Sequence, residues 1–211
     1  MSFPPRSRAR SRVDVSGEES RAKAVAAATE LFALAGYRGT SVAAVAARTG
    51  LSQSGLLHHF PTKAALLAAV LQERDRQDGA FLAGGTGAPL GWAAFDALTA
   101  LVARNSTRPG LVGLFVRLAA EAVDPAHPAH DWVQQHYAGI RTWLCEAVRA
   151  GVDRGEFRPD TPVSSIVSTT IAVVDGLQQQ WLLRPDEVPM VAEFEVFTSA
   201  LRARWGTVGR G

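Results

Sequence analysis

At 211 residues and 47% hydrophobic content, the chain can bury one large core, or a small core joined to a larger one. No apolar run approaches the roughly 20 residues that cross a bilayer, so a membrane-spanning protein is not expected, and the single cysteine, Cys145, rules out an internal disulfide framework. The net charge of +2 decides little, but residues 1–63 hold nine Lys/Arg against four Asp/Glu while residues 64–211 hold thirteen against sixteen. A basic N-terminal third on a mildly acidic body suits a polyanion-binding module carried by a regulatory or assembly domain.

Residues 1–17 alternate Ser and Arg around Pro4 and Pro5 with little apolar side chain to bury, which predicts a disordered basic arm. Its arginines have no apolar segment behind them, so no signal peptide is expected and the protein is expected in the cytoplasm. Glu18 and Glu19 then suit a helix N-terminus, and Val25, Ala28, Phe32 and Ala35 form one stripe before Gly36 stops the first helix. Thr40 or Ser41 caps a second helix ending at Thr49. Gly50 supplies a left-handed corner, and Ser52 caps a third helix across "QSGLLHH". Pro61 and Thr62 open a fourth, "KAALLAAVLQERDRQ", that fades in "DGAFLAGGTGAP".

Beyond the glycine-rich break the period stays helical, through "WAAFDALTALVARNS", "PGLVGLFVRLAAEAV", "WVQQHYAGIRTWLCEAVRAGVDRG", "TPVSSIVSTTIAVVDGLQQQWLL" and "DEVPMVAEFEVFTSALRARW". No alternating pair of runs is bounded by a hairpin turn, so the expected fold class is all-α.

Two short helices around a glycine corner are a helix-turn-helix signature. Ala43, Ala46 and Ala47 would let the second and third helices cross closely, with Val42, Val45, Leu51, Leu56 and Phe60 between them and helix one. That leaves Gln53, Ser54, Gly55, Leu57 and His58 on the outer face of the third helix, the element that enters a major groove. Gln can bond adenine twice, Ser can bond several base edges, and Gly allows close approach of the backbone. Arg38 and Arg48 are candidate phosphate contacts or plain solvated charges. Ser52 is expected to serve as a cap.

The stretch "ELFALAGYRGTSVAAVAARTGLSQSGLLHHFPTKAALLAAVL" resembles the DNA-binding domain of the TetR family of bacterial transcriptional regulators, almost continuously over residues 20–71. The resemblance rests on the "LF…GY…TS" entry, the "GLS" turn and "HHFPTKAALL" after the third helix. The family places a tyrosine where this chain has Leu57, so no phosphate role is carried onto that position. His58 and His59 match, as does Lys63, which at the first turn of helix four would face a phosphate, and Thr40 and Ser41 would offer hydroxyls and amides at the start of helix two. His59 is expected to be the structurally held histidine.

The resemblance implies a three-helix DNA-binding domain at residues 18–64 and a larger helical ligand-binding and dimerisation domain at 65–211. Half-sites on DNA call for pairing, and the last two helices carry wide apolar faces: Ile171, Val174, Leu177 and Trp181 on one, Phe194, Phe197 and Leu201 on the other. These are the candidate homodimer contacts. A mostly apolar cavity with a few polar groups is the usual small-molecule site, and Phe95, Phe115, Trp132, His136, Tyr137 and Trp143 are the candidate effector contacts. "DPAHPAHDWVQQH" has no recognised metal spacing and is expected to be a solvated loop.

The expected function is that of a ligand-responsive transcriptional regulator, a repressor released from a palindromic double-stranded DNA operator by a small apolar or amphipathic effector, with no cofactor, no metal and no catalytic residue. Its competitors are a helical enzyme using the central cavity and an interaction module that has lost DNA binding. Against an enzyme, the sequence carries no GxSxG elbow, no HExxH and no phosphate-cradling glycine loop.

Overall fold

The computed structural model describes residues 12–85 and 87–207, with side chains from Gly17 onward. Among them nine helices form and no strand does: α1 (Arg12–Gly39), α2 (Val42–Thr49), α3 (Gln53–His59), α4 (Lys63–Ala83), α5 (Trp92–Ser106), α6 (Pro109–Glu121), α7 (His130–Asp153), α8 (Val163–Leu183) and α9 (Met190–Trp205). The all-α expectation holds. The first helix starts at Arg12 rather than Glu18, so residues 12–17 are helical and not part of a disordered arm. Once a helix is nucleated, each added residue closes one more backbone hydrogen bond, and propagation toward the N-terminus follows. The remaining part of the proposed arm, residues 1–11, lies outside the described residues.

The described chain divides into two compact units between Val70 and Leu71. In the first unit, local chemistry sets each corner. Gly36 breaks α1 at φ 74 and ψ 172, a conformation open to glycine alone. Ser41 caps α2 through its Oγ, which accepts the Ala44 N–H at 3.0 Å, and Gly50 ends that helix in the left-handed region at φ 74 while its N–H bonds the carbonyls of Ala46 and Ala47. Ser52 Oγ accepts the Gly55 N–H at 3.0 Å and caps α3. Thr62 Oγ1 accepts the Ala65 N–H at 3.0 Å at the start of α4.

These corners press α1, α2 and α3 together over a small core in which Phe32, Val45 and Leu56 are fully buried and Phe60 nearly so. Of the three alanines expected at the crossing only Ala46 is buried; Ala43 and Ala47 face outward, because a two-turn helix turns just one face to its neighbours. Ala35 also lies exposed, one residue before the break at Gly36.

In the second unit α8 packs on α6, α7 and α9, and α5 packs on α6, α7 and α9. Two apolar clusters result. One gathers Leu98, Leu101, Val102, Trp181, Met190 and Phe194; the other gathers Phe95, Leu144, Val148, Phe157, Ile166 and Val167. Cys145 is half-buried against the second. The "DPAHPAHD" turn is largely exposed, as expected of a surface loop, but its histidines are tied to the fold: the His127 side chain is 8% exposed, its Nδ1 accepts the Ala129 N–H at 3.2 Å, and His130 Nδ1 lies 2.7 Å from the Ala122 carbonyl. Successive tight turns have polar backbone groups that need partners, and the imidazoles supply them.

Candidate nucleic-acid interface and effector cavity

The caps and core of the first unit decide which side chains remain outside. On α3, Leu56 is buried, while Gln53, Ser54, Leu57 and His58 are exposed and Gly55 and His59 are half-buried. Among the described residues of the first unit nothing engages the Gln53 side chain, whereas Ser54 Oγ lies 3.1 Å from Ser52 Oγ. Gly55 has a local duty as well, since a Cβ there would come within 3.1 Å of the capping Ser52 Oγ. Leu57 leaves 36% of its surface exposed between two polar neighbours on this outer face.

The other candidate contacts separate by environment. Lys63 Nζ stands 4.5 Å from the centre of the Tyr37 ring and donates to the Arg38 carbonyl at 3.4 Å, so the end of α1 fixes its ammonium at the start of α4. Arg38 itself is exposed. Arg48 pairs with Glu30 of α1 at 2.8 Å, both side chains more than 60% exposed, so it is a solvated ion pair of small energetic weight. Ser41 is exposed with its Oγ engaged as the α2 cap. Thr40 departs from expectation. It is 4% exposed, and its hydroxyl lies within hydrogen-bond distance of the carbonyls of Leu31 at 3.1 Å and Gly36 at 3.0 Å. The hydroxyl is therefore committed to backbone carbonyls of its own unit and not to an outside group.

In the second unit a cavity of about 490 Å³ opens between helices. Four of the six candidate effector contacts line it: Phe115, Trp132, His136 and Trp143. The His136 ring stacks on Trp132 at 4.9 Å and meets Phe115 edge-on at 5.1 Å. Phe95 does not line it; it lies one turn nearer the start of α5, fully buried against Trp92 and Phe157. Tyr137 is turned aside, with its hydroxyl donating to Asp175 Oδ2 at 2.7 Å, and it is the carboxylate that reaches the cavity wall.

The polar wall comes mainly from α4. Arg74 is 9% exposed, lies 3.7 Å from Asp78 and covers the Phe115 ring at 4.2 Å. Asp78 also receives Arg104 at 3.2 Å, and Asp75 sits 2.8 Å from His136 Nδ1. Burial pulls the Arg74 pKa down, opposed by the neighbouring carboxylates of Asp78, Asp75 and Asp175. Burial likewise raises Asp78 against the pull of Arg74 and Arg104, and raises Asp175 against its hydrogen bond from Tyr137. The α4 wall escapes sequence reading because "QERDRQD" looks like a solvated helix face. A signal is nonetheless present: Arg74, Asp75 and Asp78 share a stripe with Leu71 and Leu82 at helical spacing.

Of the seven candidate dimer contacts, Trp181 and Phe194 are buried within their own protomer, while Ile171, Val174, Leu177, Phe197 and Leu201 are half-buried. Trp181 is 9% exposed and Phe194 fully buried in the first apolar cluster, against which Val174, Leu177 and Phe197 also pack; Ile171 and Leu201 pack on the second. Trp181 and Phe194 therefore have almost no surface to give a partner. Helix periodicity identifies a buried face correctly and does not say which core it belongs to. Among the described residues no helix is long and apolar enough to cross a membrane, and no group of three or more His, Cys, Asp or Glu side chains is arranged to hold a metal ion.

Comparison with known proteins matches residues 24–70 to the N-terminal model of bacterial regulatory proteins of the tetR family, and residues 92–195 to the tetracyclin repressor-like C-terminal domain. The HTH-type transcriptional regulator TtgR of Pseudomonas putida is 27% identical over 188 residues, covering 84% of this chain and 87% of that protein. Among solved structures, a TetR transcriptional regulator from Chloroflexus aurantiacus aligns with a TM-score of 0.77 at 24% identity over 92% of this chain and all of that one. SmeT, the repressor of the Stenotrophomonas maltophilia multidrug efflux pump SmeDEF, aligns at 0.73 and 16% identity over 90% of this chain and 91% of that one.

Proposed function

The chain belongs to the TetR family of transcriptional regulators, and from that premise we propose that it is a ligand-responsive repressor, a homodimer that reads a palindromic operator through α3 and releases it when a small apolar or amphipathic effector fills the cavity. The observation that carries the reading is the division of labour on α3: Leu56 commits to the core while Gln53, Ser54, Leu57 and His58 stay outside. An outer face of that composition suits a major groove, with Gln53 reading a base edge, Leu57 meeting a thymine methyl, and Lys63 contacting a phosphate. Arg38 adds a second exposed charge beside Lys63.

Pairing draws on the outward faces of the last two helices, together with the half-buried Ile171, Val174, Leu177, Phe197 and Leu201, and not on the buried Trp181 and Phe194. On α8, Ser165, Thr169, Ala172 and Gly176 face outward or stay half-exposed at helical spacing, and on α9 Val196 and Ala200 do the same. Small side chains let two copies approach closely, as a four-helix interface requires. Two α3 helices in such a dimer would read half-sites about 34–36 Å apart or a multiple of that.

The cavity supports the effector half of the reading, because it combines an aromatic wall with a few polar groups. An effector that prefers the conformation unable to bind the operator lowers DNA affinity by its differential affinity for the two states. The test is sedimentation of the protein with a duplex taken from beside its own gene. Two chains or a multiple of two per bound duplex is expected; one chain per duplex would refute the dimeric reading.

A further inference from the structure

The cavity wall carries an imbalance of hydrogen-bonding groups. Four buried side-chain atoms on it have no partner among the described residues: Arg74 Nη1, Trp132 Nε1, Trp143 Nε1 and Gln178 Oε1. Three of these atoms can only donate. The carboxylates of the wall already have partners, since Asp78 pairs with Arg74 and Arg104, Asp75 faces His136, and Asp175 accepts from Tyr137. Arg74 and Gln178 are each more than nine-tenths buried, at 9% and 4% exposed. A buried donor left without an acceptor is costly, and a native site keeps such groups where something else completes them.

Charge narrows the class of ligand. A cation would find each carboxylate engaged, and an anion drawn to Arg74 would meet the negative charges of Asp75, Asp78 and Asp175. An uncharged ligand incurs neither cost. The aromatic wall of Phe115, Trp132 and Trp143 favours a flat ring system, since ring faces stack at low conformational cost.

Resting on the reading of this cavity as the effector site, we propose that the effector is an uncharged aromatic compound bearing carbonyl or ether oxygens and a hydroxyl. Its acceptor oxygens take the N–H groups of Arg74, Trp132 and Trp143, and its hydroxyl donates to Gln178 Oε1. Arg74 then acts in recognition as a donor held in place by Asp78, and not as a counter-ion for the ligand.

The test is calorimetric titration of the full chain with four naphthalene probes of one skeleton: hydroxyacetonaphthone, acetonaphthone, naphthoate and naphthylmethyl-trimethylammonium. Hydroxyacetonaphthone should bind tightest, with acetonaphthone about tenfold weaker for want of the donated hydrogen bond. Trp132→Phe and Trp143→Phe keep an aromatic ring and delete one donor each, and each should weaken both ketones by about two- to tenfold. They should leave the binding of the trimethylammonium probe unchanged. If the ammonium or the naphthoate binds tightest, or the ketones rank equal to each other, the proposed ligand class is overturned while the cavity remains the effector site. Absence of binding by all four overturns both.

Discussion

The Lys63 ammonium lies 4.5 Å from the centre of the Tyr37 ring and hydrogen-bonds the Arg38 carbonyl, so a lysine at the first turn of α4 is pinned by the end of α1. A charge held in one place loses little side-chain entropy when a phosphate arrives. Lys63→Ala should weaken binding to every duplex sequence alike and reduce the slope of log affinity against log salt by about one unit. Titrations of one duplex across a salt series measure that slope, and an unchanged slope would remove Lys63 from the interface.

Gln53 should behave in the opposite way. Its side chain is exposed on the first turn of α3 without a partner among the described residues of its own unit, so it is available to a base edge. Gln53→Ala should cost about 1–3 kcal/mol on the operator and relax preference at one base pair of each half-site, with the salt slope retained. Affinities for a set of single-base operator variants decide it; a uniform loss across the set would reassign Gln53 to backbone contact.

Thr40 separates a structural hydroxyl from a DNA contact. Its side chain is buried beside the carbonyls of Leu31 and Gly36, so Thr40→Val should destabilise the protein by about 1–2 kcal/mol in denaturant melts. Operator affinity of the folded variant should change little. A variant of wild-type stability with sharply reduced DNA binding would show that the hydroxyl works outside the fold.

The Asp175 carboxyl is held above its ordinary range by burial, with the Tyr137 hydrogen bond opposing. A group whose folded pKa is raised binds its proton more tightly in the folded chain, so its contribution is fully present below the unfolded value of about 3.9 and is lost as pH rises through the folded one. At pH 7 the ionised group is therefore a cost. Asp175→Asn keeps an oxygen for the Tyr137 hydroxyl and removes that cost, so its Tm should exceed that of the wild type at neutral pH, with the gap narrowing toward pH 4. Melts at the two pH values test the sign, and a gap that widened in acid would contradict it.

Short-range chemistry makes the first unit legible from sequence. Ser41, Gly50 and Ser52 each signal a cap or corner through their own side chain or its absence, and their places are set by residues three or four positions away. Long-range packing is harder. Trp181 and Phe194 announce a buried face, yet only the arrangement of α5, α6, α8 and α9 shows that the face belongs to the protomer's own core. Thr40 escapes for a related reason: its hydroxyl reaches the Leu31 carbonyl, nine residues back along the chain, and that contact depends on how α1 and the following corner fold together. The cavity aromatics stand out because large rings are conspicuous, while Arg74, Asp75 and Asp78 do not, because charged helix positions are usually solvated.

The central claim is that the outer face of α3 distinguishes one DNA sequence from another. Competition binding at a single salt concentration, between duplexes tiling the DNA beside the protein's own gene and shuffled duplexes of the same composition, tests it most directly. One tile should bind at least about a thousandfold tighter than its shuffled partner. Equal affinity for all of them would contradict the account.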